Sequence, residues 1–307
     1  MERDIKQPAI DAENEDSLPT EEQTISNDEA SLTAPFDDDF DGEFEDIIVD
    51  DVTIATLSAL EVIMEMPILE QAVDRLSELV DMIEADMHGL ESQTERREQL
   101  LYLFYQQLGF SGQWRKWLEL DSVLLHKVIE TRNGVPISLG TLFIHLATYF
   151  DVEVDGILFP AQFVLRFEDE QGHNIFVDPA NGEVLTRHKL EILLRGIEGN
   201  HAQLDEKDLL VASNEGHYLR LLQVLKAALI RDEHFSFALR CIDLILLLDP
   251  DEPYEVRDRG FLLQQLDCNK LASEDFSYFI EQCPDDPITR VLKSQIEELS
   301  ATVDTVH

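Results

Sequence analysis

Apolar residues recur every three or four positions through most of the chain, and every two in one short stretch near its middle. Leu69, Val73, Leu76, Val80 and Ile83 form one helical stripe, and Leu100, Leu101, Phe104 and Leu108 form another. The pattern predicts helices over residues 53–66 and 68–87, parted by Pro67, and a third over 94–108 that Gly109 closes. Asp121 is a candidate N-cap for a helix reaching about Thr131, broken by Asn133-Gly134. Pro136 suits the first turn of the next helix, whose Ile137, Leu139, Leu142, Phe143, Leu146, Ala147 and Phe150 leave little polar face. Such a helix belongs at the centre of its domain.

Past Asp151 the period becomes strand-like. Short apolar runs at 156–159, 163–167 and 175–177 are separated by turn residues, with Gln171-Gly172-His173-Asn174 as a hairpin turn and Asn181-Gly182 as a further one. Residues 190–194 fit a short closing helix, and the polar stretch 196–206 is the expected domain boundary. Beyond it Pro250 and Pro284, Asp251 and Asp285, Pro253 and Pro287, and Ala238 and Ala272 are each 34 residues apart, the period of a tetratricopeptide repeat. Gly260, Ala272, Phe276 and Pro284 occupy the small, small, aromatic and proline positions of that pattern, whereas Lys226 stands where the first unit would have its glycine. A last helix over about 287–299 would cap the array.

Composition adds a third region. The 307 residues carry 64 acidic and 23 basic side chains, a formal net charge of -41, which argues against a nucleic-acid surface because phosphate contacts need clustered Lys and Arg. Residues 1–50 hold 18 of the acids and two of the bases, and are expected to be a disordered acidic tail that either engages a basic partner or only aids solubility. Asp37, Asp39, Asp41 and Gly42 match the opening of a calcium loop, but its twelfth position is Ile48, not Glu, so no metal is expected. Cys241, Cys268 and Cys283 have no ligand spacing and fit reduced structural thiols. The chain opens Met1-Glu2-Arg3-Asp4 without an apolar leader, and the aliphatic run 244–248 is too short to span a bilayer, so a cytoplasmic protein with no membrane contact is expected.

Candidate chemistry sits in Arg132-Asn133-Gly134-Val135-Pro136-Ile137-Ser138-Leu139-Gly140, then Phe159-Pro160-Ala161-Gln162-Phe163, then Phe176-Val177-Asp178-Pro179. A turn into a helix followed by two strands resembles the core of the transglutaminase-like superfamily. There a Cys opens the helix, a His stands on the next strand and an Asp on the one after. The resemblance puts Ser138, Gln162 and Asp178 at those places. An alcohol needs a general base within hydrogen-bond reach, and an amide cannot accept a proton at any useful pH. Asp178 would then orient nothing. Ser138 in the first turn of a buried helix also fits a backbone-capping role.

With Tyr254-Glu255-Val256-Arg257-Asp258-Arg259-Gly260 further on, the chain from about 55 to 300 resembles the bacterial SirB family, which joins a transglutaminase-like core to tetratricopeptide repeats. Many relatives carry His where this chain has Gln162. Members are commonly labelled regulatory, and the resemblance implies no established substrate. His126, His145, His173 and His188 form no short ligand motif, although His145, two turns beyond Ser138, is at a spacing that would let it face Ser138. No Gly-rich phosphate loop is present, and Trp114 and Trp117 suit packing better than cofactor stacking, so no cofactor is expected. Arg257 and Arg259 are candidate partner-binding residues, able to grip carboxylates in a repeat groove, and internal ion pairs to Asp258 or Asp275 account for them equally well.

The expected molecule is α+β and predominantly α. It comprises an acidic tail (1–50), a helical lead with a transglutaminase-like, papain-like core and small antiparallel sheet (51–200), and tetratricopeptide-type repeats (201–307). Its expected function is non-catalytic protein interaction with a regulatory outcome. The rivals are a weak hydrolase or amide-transfer enzyme using Ser138 and a chaperone-like adaptor with an acid shield.

Overall fold

Asp51 starts the fold by capping α1 (Val52–Met64): its Oδ1 accepts from the N–H groups of Thr53 and Ile54 at 2.8 and 3.3 Å. The computed structural model describes residues 51–113 and 119–304. The acidic segment 1–50, with its calcium-type spacing, and Trp114 and Trp117 lie outside the described residues. Helix α2 (Leu69–Met87) has no local cap. Instead Glu61 of α1 accepts from Ile68 N–H at 2.8 Å and Leu69 N–H at 2.9 Å, so the Pro67 corner is closed from the preceding helix.

Ser92 and Glu95 form a capping box at the start of α3 (Gln93–Tyr102). The predicted helix to 108 changes winding on the way. Leu103–Gln107 is a π turn, in which Leu108 N–H reaches back to Leu103 O at 2.8 Å before Gly109, at φ +77°, ends it. The extra residue places Phe104 flat against Phe110, with ring centroids 4.3 Å apart, and edge-on to Phe143.

Asp121 is not a helix cap. It lies in a 3₁₀ turn, Leu120–Ser122, and α4 (Leu125–Thr131) begins after Leu124 with no side-chain cap. Burial of Leu120, Val123, Leu124 and Leu125 decides the path here, overriding the local capping preference. Helix α4 ends at Arg132, one residue before Asn133, with φ +60°.

Helix α5 (Pro136–Tyr149) starts with Pro at its first turn and is buried on nearly every side, as its pattern predicts. It packs on α1, α4 and a four-stranded antiparallel sheet of order β1-β2-β3-β4. The strands are β1 (Asp155–Leu158), β2 (Phe163–Glu168), β3 (Asn174–Val177) and β4 (Val184–Leu185). The register pairs Leu158 with Phe163 and Leu165 with Val177. Helix α6 (Arg187–Glu198), longer than predicted, is capped by Thr186 and buries Leu190 and Leu194 beside Ile157, Val164 and Leu185.

Five helices complete the chain: α7 (Asn214–Arg231), α8 (Phe235–Leu248), α9 (Pro253–Gln265), α10 (Asn269–Gln282) and α11 (Thr289–Asp304). They pack in sequence as antiparallel pairs. A Cβ on Gly260 would lie 2.7 Å from the Phe276 ring, so the small residue at this repeat position is what lets α9 and α10 close on each other. Lys226 does the opposite at its own repeat position. Its Nζ donates to Glu255 Oε2 at 2.6 Å and Asp258 Oδ2 at 2.9 Å, an ionic strut between α7 and α9. Burial opposes the Lys226 charge, but the two carboxylates outweigh it and hold the ammonium above its ordinary pKa. Among the described residues no helix is long and apolar enough to cross a membrane.

Candidate functional site

The loop into α5 is fixed by backbone and side-chain bonds on both flanks. Gly134 N–H donates to Ser111 O and Val135 N–H to Ser122 O, while the Asn133 amide donates to Ser122 Oγ at 3.2 Å and its oxygen accepts from Gln113 N–H at 3.2 Å. A Cβ on Gly134 would lie 2.7 Å from Val128, which ties that position to glycine. Val135 then provides the N-cap without a side-chain bond to the first turn of α5.

Ser138 follows at full burial, and its hydroxyl donates to the carbonyl of Val123 at 3.2 Å. Gln162 stands at the end of the β1–β2 connection, just before Phe163, where its Nε2 is buried with no hydrogen-bond partner. Asp178 ends β3. Its Oδ1 accepts from Ala180 N–H at 2.9 Å, and its carbonyl accepts from Gly182 N–H at 2.8 Å, so the side chain shapes its own turn. The Tyr105 hydroxyl donates to Pro179 O at 3.0 Å across that turn, and burial, with the Asp178 charge second, pushes its pKa well up. Among the described residues no hydrogen bond joins any two of Ser138, Gln162 and Asp178.

Two side chains that sequence reasoning missed come from α7. His217 is 5% exposed, stacks on Phe163 with centroids 4.5 Å apart, and places Nε2 2.9 Å from Thr141 Oγ1. Burial lowers its pKa to about 4, so the ring is neutral. Arg220 lies one turn further along, exposed, beside a cavity of about 260 Å³ that Gln162 and the start of α5 also line. Helical spacing within α7 relates the two positions, but nothing local says that either meets a segment some 75 residues earlier. His145, by contrast, does not face Ser138. Its Nδ1 lies 2.8 Å from Asp51 Oδ2, tying α5 to the cap of α1. His126 is half-buried on α4, its pKa lowered to about 4 by desolvation first and Lys127 second, and His173 bonds Asp169 within the exposed hairpin turn.

In the repeats, Arg257 donates to Asp258 Oδ1 at 2.7 Å and lies over the rings of Tyr254 and Phe279, 5.0 and 5.4 Å from their centroids. Arg259 forks onto Asp275 at 2.8 and 2.9 Å. Burial, against the pull of Arg259 and with Asp275 nearby, pushes the Asp243 carboxyl up to about 6. Both Arg side chains are thus engaged within the array. Among the described residues no group of three or more His, Cys, Asp or Glu is arranged to hold a metal ion. Cys241 is buried, its thiol donating to Leu222 O, and all three cysteines are free.

Two family models match the chain: the transglutaminase-like superfamily over residues 70–223 and the tetratricopeptide repeat over residues 225–297. A UPF0162 protein of Vibrio cholerae is 39% identical over 232 residues, covering 76% of this chain and 86% of the relative. Protein SirB1 of Salmonella typhimurium is 36% identical over 234 residues, 76% of this chain and 87% of the relative. The UPF0162 protein YchA of Escherichia coli is 35% identical over 231 residues, 75% and 86% of the two chains. No solved structure matches. On the strength of the two matched models and the shared length, the chain belongs to the SirB1/UPF0162 family of transglutaminase-like proteins with tetratricopeptide repeats.

Proposed function

We propose that this protein is a non-catalytic member of its superfamily, acting in a bacterial cytoplasm by binding a protein partner, with a regulatory outcome. The observation that carries this reading is the state of the Ser138 hydroxyl: fully buried, donating to Val123 O, with an amide at Gln162 where an imidazole would be needed. A hydroxyl so held has no base to take its proton and no open side from which to attack. Asp178, turned into its own loop, has no imidazole to orient. The remaining architecture, a rigid core and stacked helical pairs, is of the kind that presents surfaces to other proteins. Arg257 and Arg259 are the proposed partner contacts of the repeats, each also held by an internal ion pair, to Asp258 and Asp275 respectively.

Ser138→Ala and Asp178→Ala should leave affinity capture unchanged: the full chain recovers the same partner protein from its own bacterium with each folded variant as with wild type. Loss of capture and of cellular function in folded variants would move the assignment to a hydrolase or amide-transfer enzyme. So would an acyl adduct on Ser138 that forms faster than background.

A further inference from the structure

The cavity beside Gln162 continues into a second, of about 350 Å³, and the two share Val135, Arg220 and Val224. Together they make one groove. Its long wall is a single face of α7, since Arg220, Val224, Ala227 and Arg231 recur at helical spacing. Its other wall is the start of α5 and the β1–β2 connection. From Arg220 to Arg231 a helix rises about 16 Å, the length of about five extended residues.

Three properties of this groove point one way. No Asp or Glu lines either cavity, in a chain where 64 of 307 residues are acidic. Arg220 has no ion pair or hydrogen bond among the described residues, whereas Arg231 is already paired with Asp232 at 2.8 Å. The Gln162 Nε2 is a buried donor without an acceptor, and it borders the groove close to the uncapped first turn of α5. A guanidinium, an amide N–H and a helix N-terminus are all donors of positive character, set into walls of Leu158, Phe159, Phe163 and Val224.

We propose that this groove binds an extended segment of a partner protein that carries a carboxylate side chain next to an aliphatic or aromatic one. The carboxylate lies between Arg220 and the Gln162 end of the groove. The apolar neighbour packs on Phe159 and Val224. An extended peptide is favoured over a compact ligand by the groove's length along α7. The proposal rests on the interaction reading above and names its surface and the chemistry of its partner.

The test is fluorescence anisotropy with the full chain and a labelled hexapeptide in which one glutamate is flanked by leucines, alongside its glutamine counterpart. Wild type should bind the glutamate peptide about tenfold more tightly, the effect of one charge-assisted contact. Arg220→Ala, at an exposed position, should abolish that preference. Arg290→Ala, an exposed arginine remote in sequence, should keep it. Equal affinity for the two peptides, no binding, or an unaltered preference in Arg220→Ala would overturn the proposal. So would tighter peptide binding when the acids of residues 37–46 are changed to amides, which would give the groove to the chain's own acidic stretch. Concentration-dependent self-association that Arg220→Ala abolishes would give it to a second copy. Any of these results leaves the interaction reading standing, because that reading falls only to its own Ser138 and Asp178 test.

Discussion

Thr141 has one hydroxyl proton, and it goes to the Ile137 carbonyl at 2.8 Å, so the imidazole of His217 must donate its Nε2 proton to Thr141 Oγ1. Desolvation keeps the ring neutral, so this bond selects the Nε2–H tautomer, and the ring stacks on Phe163. Phe163 in turn rests on Gly140, where a Cβ would come within 2.5 Å of the ring. This stack has a consequence for acid stability. A histidine whose folded pKa is lowered to about 4 from an unfolded value of about 6.5 supports the fold above pH 6.5 and loses that support as pH falls through 4. The loss amounts to at most about 3 kcal/mol. Urea unfolding across this range should show a shallower decline for His217→Gln than for wild type. Parallel curves would mean that the ring is protonated without penalty. None of this was legible in the sequence: Ser138, Gln162 and Asp178 were found because they fall in one recognisable order, whereas His217 and Arg220 reach Phe163 and the Gln162 cavity from a helix whose sequence signal is only that of a repeat.

At the scale of elements, the legible features were those set by periodicity. The buried α5 and the two long lead helices follow from apolar spacing, and the paired repeat helices and the Gly260–Phe276 approach follow from the 34-residue period. The departures have local causes. A two-residue strand such as β4 is too short to show alternation, the π turn at Leu103–Gln107 depends on aromatic packing against Phe110, and the start of α4 depends on leucine burial. Lys226 sits where repeat logic asks for glycine, and the structure answers with charge. Its side chain and that of Glu255 are 10% and 8% exposed, so removing one partner strands the other. Lys226→Met should cost about 3–5 kcal/mol in urea unfolding, and adding Glu255→Leu should restore most of it. A single-variant cost below about 1 kcal/mol would show that the strut is solvated and weak.

Across the whole molecule the dominant quantity is the charge of -41. Repulsion among so many carboxylates opposes compaction, and added salt screens it over a Debye length of about 10 Å at 0.1 M. The melting temperature should therefore rise as sodium chloride increases from about 20 mM to about 300 mM. A fall would mean that ion pairs such as Lys226–Glu255 outweigh the general repulsion. The acid-free groove gains significance against this background, because a carboxylate approaching it meets Arg220 and no Asp or Glu among its lining residues.

Helix α7 contacts α1 and β1 on one side and α8 on the other, and Lys226 on the same helix reaches α9. The two family models meet near residue 224, in the middle of it. A chimera grafting a relative's repeats at that seam would thus inherit half a helix from each parent, with His217 and Arg220 from one and the Lys226 strut from the other. The transplantable unit begins at Ser213, the cap of α7, and it carries part of the groove along with it.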